Sequence, residues 1–420
     1  MEPEFGSEPL YNLVRAADGR PSQGLDPMMD WQAIESRYYH PTFRRLPVTL
    51  VRGSGTRVWD DQGKSYLDFA AGIAVSTLGH GDSELTRAVS QQVEALAHTS
   101  NLFYTIPQLE VAQRLVDSSE LDRVFFVNSG GEASETCIKI ARKWGRANRD
   151  GAYEIITADH SFHGRTLATT AATGTPAYQE PFAPMPDGFS HVPFNDLDAV
   201  EDSISPTTAA VMVEPMQGEG GMWPALPEYV RGLRQVCDAH GVLLILDEVQ
   251  TGVGRTGRLF GYEHFDVVPD VISLAKGLGG GLPIGAVLST EAASVLEPGD
   301  HGSTFGGNPV ACAAARVVLD RVTTGGFLDD VTAKGKHVMS RLRMKSSHGL
   351  VIKDVRGLGL MIGFDMDSEA AADHVVAGAR EKGVLLIKAG SSTVRLVPPL
   401  TVTLDELNEG LDVIDEARRD

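Results

Sequence analysis

A chain of 420 residues, 42% hydrophobic, is long enough to bury a substantial core and to divide into more than one domain. Its 56 acidic against 37 basic residues give a formal net charge of −19, which excludes the basic excess a general nucleic-acid binder needs to neutralise phosphates. There is no apolar run of bilayer-spanning length and no apolar signal-peptide core, and the three cysteines (Cys137, Cys237, Cys312) form no CxxC pair, so neither a disulfide framework nor a zinc site is indicated and a reduced, cytoplasmic setting is expected.

Residues 1–28 read as a polar tail carrying Gly and Pro without periodicity, and the Met28-Met29 pair would suit the start of the folded chain. From Asp30 onward, short β-rich runs alternate with helical patterns. Val124–Val127 (VFFV) precedes NSGGE and then Ala133, Cys137, Ile140, Ala141 and Trp144, which share one helical face. Further strands are expected over Glu154–Thr157, Ala209–Val213, Val242–Leu246 and Val271–Leu274. This alternation predicts βαβ units around a mostly parallel sheet flanked by helices. Pro309–Arg321 reads as a long Ala/Val-rich helix leading out of that domain, and residues 322–420 mix strands (Leu360–Phe364, Val384–Ile387, Val394–Leu396) with helices in a smaller α/β domain. The expected division is a large domain over 76–315 and a small domain over 316–420, to which an N-terminal segment over 29–75 contributes. No internal repeat is evident.

Four motifs carry chemistry. In LLILDEVQTGVGRTG, an apolar run ends abruptly at Asp247 and Glu248; in an open α/β sheet ligands sit beyond the carboxyl ends of the strands, where an acid can meet a cationic ring nitrogen. In VISLAKGLGGGLPIGA, a buried-looking strand ends at Lys276, a flexible amine whose pKa falls in an apolar setting and which then attacks carbonyls. Alone, such an Asp also serves as a helix cap, and such a lysine as a surface residue before a turn. Together, one βαβ unit apart, they are the acid for a pyridinium nitrogen and the amine for an aldehyde that pyridoxal phosphate requires. The NSGGE turn between strand and helix suits a phosphate at a helix N-terminus, although no Gly-Lys-Ser/Thr makes it a P-loop. In SFHGR, Phe162 or His163 can stack on a flat ring and Arg165 can fork a carboxylate.

With GIAVSTLGHGD, HTSNLFYTIPQLEVA, NSGGEASE, SFHGRTL, EPMQGEGG, LDEVQTGVGRTG, SLAKGLGGGLPIGA, GDHGSTFGGNPVACAAA and VRLVPP in this order, the sequence resembles the class III aminotransferases of fold type I over roughly residues 30–410. HGSTFGGNPVACAAA and SNLFYT lean toward the branch that uses acetylornithine. The resemblance implies pyridoxal 5'-phosphate as cofactor and an amino donor and 2-oxoglutarate as substrates. Lys276 would attach the cofactor and then carry the proton, and Asp247 would keep the ring nitrogen protonated. Gln250 would meet the ring's 3-oxygen, Phe162 would stack on the ring, and Ser129, Gly130 and Gly131 would hold the phosphate. Thr304 would reach the phosphate of a neighbouring subunit, making a homodimer part of the site. Arg165 and Ser303 would contact substrate. Arg395 would bind an α-carboxylate, with Glu219 as its counter-ion when the substrate reacts through a terminal amine. Gly131, Ser134 and Phe43 depart from the family pattern: the first two touch the phosphate loop, and Phe43 stands where a tyrosine is common. Within the class, succinylornithine, ornithine, 4-aminobutyrate and succinyldiaminopimelate aminotransferases remain alternatives. An aminomutase, a decarboxylase or a non-catalytic regulator of the same fold stands further off.

Overall fold

The computed structural model describes residues 30–344 and 349–419; the expected tail over 1–28 lies outside them. Three short strands, β1 (Leu50–Ser54), β2 (Arg57–Asp60) and β3 (Ser65–Asp68), form an antiparallel meander near the start. The central sheet follows, from β4 (Arg123–Val127), β5 (Glu154–Ala158), β6 (Phe189–Val192) and β7 (Thr208–Val213). A two-rung hairpin, β8 (Met216–Gln217) and β9 (Trp223–Pro224), interrupts it before β10 (Leu243–Asp247), β11 (Val271–Leu274) and β12 (Gly285–Ser289) complete it. Its seven strands run in the order β4-β12-β11-β10-β7-β5-β6. All neighbours are parallel except β12, which is antiparallel to both β11 and β4.

The sheet is mostly parallel because its middle strands have no polar face to turn outward. Every residue of β7, β10, β11 and β12 is buried, as expected of strands covered by helices on both sides. One covering helix, Gly130–Asn148, buries Ala133, Cys137, Ile138, Ile140 and Ala141 against Met212, Ile245 and Val287. Each fully buried isoleucine there contributes about 1.5–3 kcal/mol. Gly145 lets that helix lie directly on the Ala152 carbonyl, where a Cβ would collide. The helix Pro309–Val322 starts where Asn308 accepts a hydrogen bond from Ala311 N–H at 2.9 Å, with proline in its first turn.

The C-terminal third builds a second sheet from β13 (Asp354–Leu358), β14 (Met361–Asp365), β16 (Ile387–Ala389) and β17 (Thr393–Leu396), in the order β13-β14-β17-β16; between them in sequence comes β15 (Val384–Leu385). Two sequence expectations shift here. The run expected over 360–364 starts one residue later, because Gly359, at φ +54, makes the β13–β14 turn with Leu360. The single strand expected over 384–387 serves two sheets. β15 leaves to pair in parallel with β3, Val384 opposite Leu67, and the chain passes through the buried Leu386 before entering β16. Residues 50–68 are thereby tied to the chain's far end. Strands β6 and β12 had no counterpart in the sequence reading. The three cysteines are buried and unpaired.

Candidate active site

The carboxyl ends of β10 and β11 point to the same edge of the sheet, and the helix Gly130–Asn148 begins there too. Asp247 is the last residue of β10 and is 3% exposed. Its carboxylate is held by four donors. Val249 N–H (3.1 Å) and the Ser273 hydroxyl (2.9 Å) reach Oδ1, while the Ser134 hydroxyl (3.2 Å) and His163 Nδ1 (2.7 Å) reach Oδ2. Burial pulls the His163 pKa down, but the hydrogen bond and charge of Asp247 outweigh it and hold the imidazole above its ordinary value. His163 Nε2 is buried and has no partner among the described residues.

Lys276 follows β11 by two residues. Its φ of +31 is unusual for a residue with a side chain, and such strain persists only where packing over-determines it. The hydroxyl of Thr77 locks the next residue by donating to the Gly277 carbonyl at 2.8 Å. Burial lowers the Lys276 amine to about 8, with Glu219 acting to raise it and Arg395 to lower it. Opposite stands Glu214, just past the end of β7. Burial pushes its carboxyl up to about 7, while Phe162 N–H and Gly218 N–H, each at 3.2 Å, hold its oxygens.

These groups line a cavity of about 190 Å³, together with Gly130, Gly131, Phe162, Gly164, Glu219, Val249 and Gln250. Ser129 caps the helix, accepting from Glu132 N–H at 3.2 Å, and the first two helical residues, Gly130 and Gly131, line the cavity, so the helix N-terminus meets it, an arrangement suited to an anion. A Cβ on Gly130 would come within 2.7 Å of Val249 Cγ1, whereas one on Gly131 would meet nothing closer than 3.9 Å. The glycine at 131 therefore leaves open space. Ser134 lies one turn further in and binds Asp247, not the turn. The Gln250 amide enters the cavity with its Oε1 buried and unpaired among the described residues.

At the mouth, Arg395 Nη1 donates to Glu219 Oε1 at 2.6 Å; the arginine side chain is 3% exposed and the glutamate 29%. Burial alone would raise the Glu219 pKa, but Arg395 beside it, with Lys276, holds it below the ordinary value. Arg165 lies outside the cavity lining, its guanidinium 3.8 Å above the Tyr178 ring and 5.3 Å from Phe162, yet close enough to lower the Glu219 pKa. Ser303 and Thr304 are not in this cavity. The Ser303 hydroxyl accepts from Asn128 Nδ2 at 3.0 Å and from Gly306 N–H at 2.9 Å, which fixes the loop, and Thr304 borders a separate depression with Asn101, Thr105 and Gln108. Phe43 is 63% exposed and packs against Tyr39 and Arg45.

The cavity thus gathers Gly130, Gly131, Phe162, Asp247, Gln250, Lys276 and Glu219, with Ser129 and Arg395 in contact with its walls. Glu214, Ser273 and the His163–Asp247 bond were not foreseen. Glu214 carried the signal used for Asp247, a carboxylate directly after a buried apolar run. Ser273 carried none, being one polar residue inside a strand.

The model of the aminotransferase class-III family matches residues 38–417. The acetylornithine aminotransferase of Caldanaerobacter subterraneus subsp. tengcongensis is 49% identical over 383 residues, 91% of this chain and 97% of that protein. That of Methanocaldococcus jannaschii is 47% identical over 390 residues, with 92% and 97% covered. Among solved structures, the ornithine aminotransferase of Toxoplasma gondii superposes with a TM-score of 0.87 at 34% identity, covering 92% of this chain and 93% of that one. The N-acetylornithine aminotransferase of Stenotrophomonas maltophilia does so with a TM-score of 0.78 at 38% identity, covering 92% and 97%.

Proposed function

The chain belongs to the class-III aminotransferases, and from that premise we propose that it moves the terminal amino group of N2-acetyl-L-ornithine to 2-oxoglutarate, giving N-acetyl-L-glutamate 5-semialdehyde and L-glutamate, a step of arginine biosynthesis, with pyridoxal 5'-phosphate as its cofactor. The residues present fit that cofactor: a glycine turn at a helix N-terminus, a buried acid, a lysine with a lowered pKa and an amide whose oxygen has no partner among the described residues surround one cavity. When bound, pyridoxal phosphate supplies an aldehyde carbon for amines and a ring that takes up electrons released at the reacting carbon.

The chain's own residues do the rest. Asp247, fixed by four donors, would keep a proton on whatever ring nitrogen meets it. Lys276 Nζ, near neutrality in its proton affinity, takes a proton from the reacting carbon and returns it elsewhere. Ser129, Gly130 and Gly131 would hold the phosphate at the helix start, Gln250 would meet the ring oxygen, and Phe162 would stack on the ring. Arg165 would hold the substrate's distant carboxylate, and Ser303, which lies outside its own chain's cavity beside Thr304, would be a further substrate contact. Thr304 reaches the neighbouring subunit of a homodimer, a reading supported by its place outside its own cavity and by the exposed Leu102, Phe103, Tyr104, Ile106 and Phe305 around it. The expected division at 75 and 315 belongs to the same reading, supported by the β3–β15 pairing. So does a cytoplasmic setting, supported by three buried, unpaired cysteines. Among the described residues no helix is long and apolar enough to cross a membrane.

The observation that carries the reading is the Glu219–Arg395 pair at 2.6 Å. A donor reacting through its terminal amine brings no carboxylate next to the reacting carbon, so Arg395 needs Glu219 as counter-ion. Glutamate reacts through its α-amine, and its α-carboxylate displaces Glu219. A half-reaction screen tests this: loss of the bound cofactor's visible absorbance is followed with acetylornithine, succinylornithine, ornithine, 4-aminobutyrate and succinyldiaminopimelate. Acetylornithine is expected to react fastest, and a faster reaction with any of the others overturns the assignment.

A further inference from the structure

Glu219 sits at the tip of the β8–β9 hairpin, whose ladder has only two rungs. Its tip, residues 218–222, contains three glycines, and Gly221 (φ +117) and Met222 (φ +60) both lie in the left-handed region. Such a segment has little stiffness of its own. Yet Glu219 must return to the same place each time it re-forms its pair with Arg395, so something outside the hairpin must fix the tip.

The C-terminal sheet supplies that grip. Arg356 on β13 pairs with Gly363 on β14, and Gly363 pairs with Arg395 on β17, so the three residues form one rung and their side chains share a face. The two arginines stand two strand spacings apart, about 10 Å, with a glycine between them. The hairpin tip fills that gap. A Cβ on Gly363 would come within 2.6 Å of Met222 Cβ. Arg395 grips the tip at the Glu219 carboxylate, and Arg356 grips it at the Gly221 carbonyl through Nε at 3.0 Å and Nη2 at 2.6 Å.

The two grips differ in kind. The Arg356 charge is already satisfied: Asp365 receives Nη1 and Nη2 at 2.8 Å each, and Asp354 receives Nη1 at 2.7 Å. Thr393 donates to Asp365 at 2.6 Å and accepts from Arg356 Nη2 at 3.1 Å, and the Trp223 ring lies 3.6 Å from the guanidinium carbon. With two carboxylates in place and 7% exposure, this guanidinium offers no site to a substrate anion. Arg395 has one carboxylate and a buried Nε without a partner among the described residues.

We propose that Arg356 is the positioning residue of the Glu219 tip: a permanent anchor on Gly221 that holds the hairpin against the sheet while Glu219 leaves and re-forms its pair with Arg395, so that the choice between terminal-amine and α-amine substrates depends on both arginines of the rung. The inference rests on the reading that Glu219 yields Arg395 to an α-carboxylate. Loosening the anchor lowers the time Glu219 spends on Arg395 and acts as a partial loss of Glu219.

The test compares Arg356→Lys, Glu219→Gln and the double variant. Lysine keeps the charge but cannot hold Asp365 in a fork and donate twice to Gly221. Rapid-mixing rates of the glutamate and acetylornithine half-reactions are measured, together with calorimetric binding of glutarate, an unreactive dicarboxylate. Arg356→Lys should shift the rate ratio toward glutamate by about tenfold and tighten glutarate by a similar factor, while adding less than about twofold in the Glu219→Gln background. Trp223→Leu, at the half-exposed side of the clamp, should shift both in the same direction and decides the matter if Arg356→Lys does not fold. If Glu219→Gln moves the ratio and neither clamp variant does, the anchor is overturned and the Glu219 reading stands. If Glu219→Gln leaves the ratio unchanged, the reading beneath has failed and the anchor falls with it. Equal loss of both half-reactions in Arg356→Lys with unchanged glutarate affinity would make Arg356 a purely structural residue and overturn the proposal.

Discussion

Replacing Asp247 by asparagine changes one atom, and the surrounding donors dictate where that atom goes. Oδ1 receives the Val249 N–H, which can only donate, so the amide oxygen must stay there and the NH2 must take the place of Oδ2. It then faces His163 Nδ1 at 2.7 Å. His163 must accept at Nδ1 and carry its proton on Nε2, which is buried without a partner among the described residues. Because Nε2 is already unpartnered in the parent, the new cost is the charge-assisted bond to the carboxylate: hydrogen bonds to charged groups are worth about 1.5–3 kcal/mol against about 0.5–1.5 for neutral ones, so the urea midpoint of the cofactor-free protein should fall measurably. The catalytic loss is larger. A carboxylate stabilises a unit cation about 4 Å away by about 4 kcal/mol at an effective dielectric near 20, and that difference is worth about three decades in rate. Asp247→Asn should therefore slow the single-turnover acetylornithine half-reaction by about a thousandfold. A rate within tenfold of the parent would mean that another group protonates the ring. An unchanged urea midpoint would refute the forced histidine tautomer.

Lys276→Ala should abolish borohydride trapping of the cofactor, and peptide mapping of the parent should place the label on Lys276. Because the neutral amine is the nucleophile and its pKa is lowered to about 8, capture of pyridoxal phosphate by the cofactor-free protein should accelerate as pH rises through about 8; an inflection near 10 would contradict the buried setting. Glu248 is buried beneath the 261–264 turn, where it accepts from Gly261 N–H and from Tyr262 N–H at 2.7 Å, and burial raises its pKa to about 7. The folded state therefore binds this proton more tightly than the unfolded one, and its contribution is complete below about pH 4.5 and lost as pH rises through 7. That loss is about 3 kcal/mol, and Glu248→Gln should remove it from the pH profile of urea unfolding, whereas an identical profile would locate the titration elsewhere. Glu219→Gln should change the ratio of glutamate to acetylornithine half-reaction rates by about ten- to hundredfold; equal slowing of both would reduce Glu219 to a structural role. Light scattering should find a dimer, with Thr304→Ala weakening cofactor retention but not assembly; an active monomer at assay concentration would contradict the shared site.

What was legible in the sequence was whatever is dictated locally. Val271–Leu274 matched its strand residue for residue, and Pro309 ahead of an Ala/Val-rich run marked a helix start to the residue, because an apolar run or a first-turn proline states its own geometry. β12 was missed because Gly285 and Ala286 look like the tail of a glycine turn; they form a strand only because β4 and β11 stand on either side. The site divides along the same line. Asp247 and Lys276 end apolar runs and so were visible. His163 and Ser273 matter because folding brings them onto one carboxylate from far along the chain, a meeting that neither neighbourhood records. Ser134 shows the converse. Read against a family pattern it stood near a phosphate, but its position one turn into the helix turns its hydroxyl to Asp247.

The pairing of β3 with β15 sets a timetable for synthesis. Leu67 receives its parallel partner only when Val384 has been made, and Lys64 waits as long for the Glu381 carbonyl, 317 residues downstream. At about 5–20 residues per second the ribosome leaves that edge open for roughly 15–60 s, while the central sheet can already assemble from nearer neighbours. An unpaired strand edge is a template for other chains. Here each exposed strand is short and interrupted by charge or glycine: Arg52 and Gly53 in β1, Arg57 and Asp60 at the ends of β2, Asp68 at the end of β3. These residues suit a nascent chain that must keep its first strands apart from its neighbours until Val384 arrives.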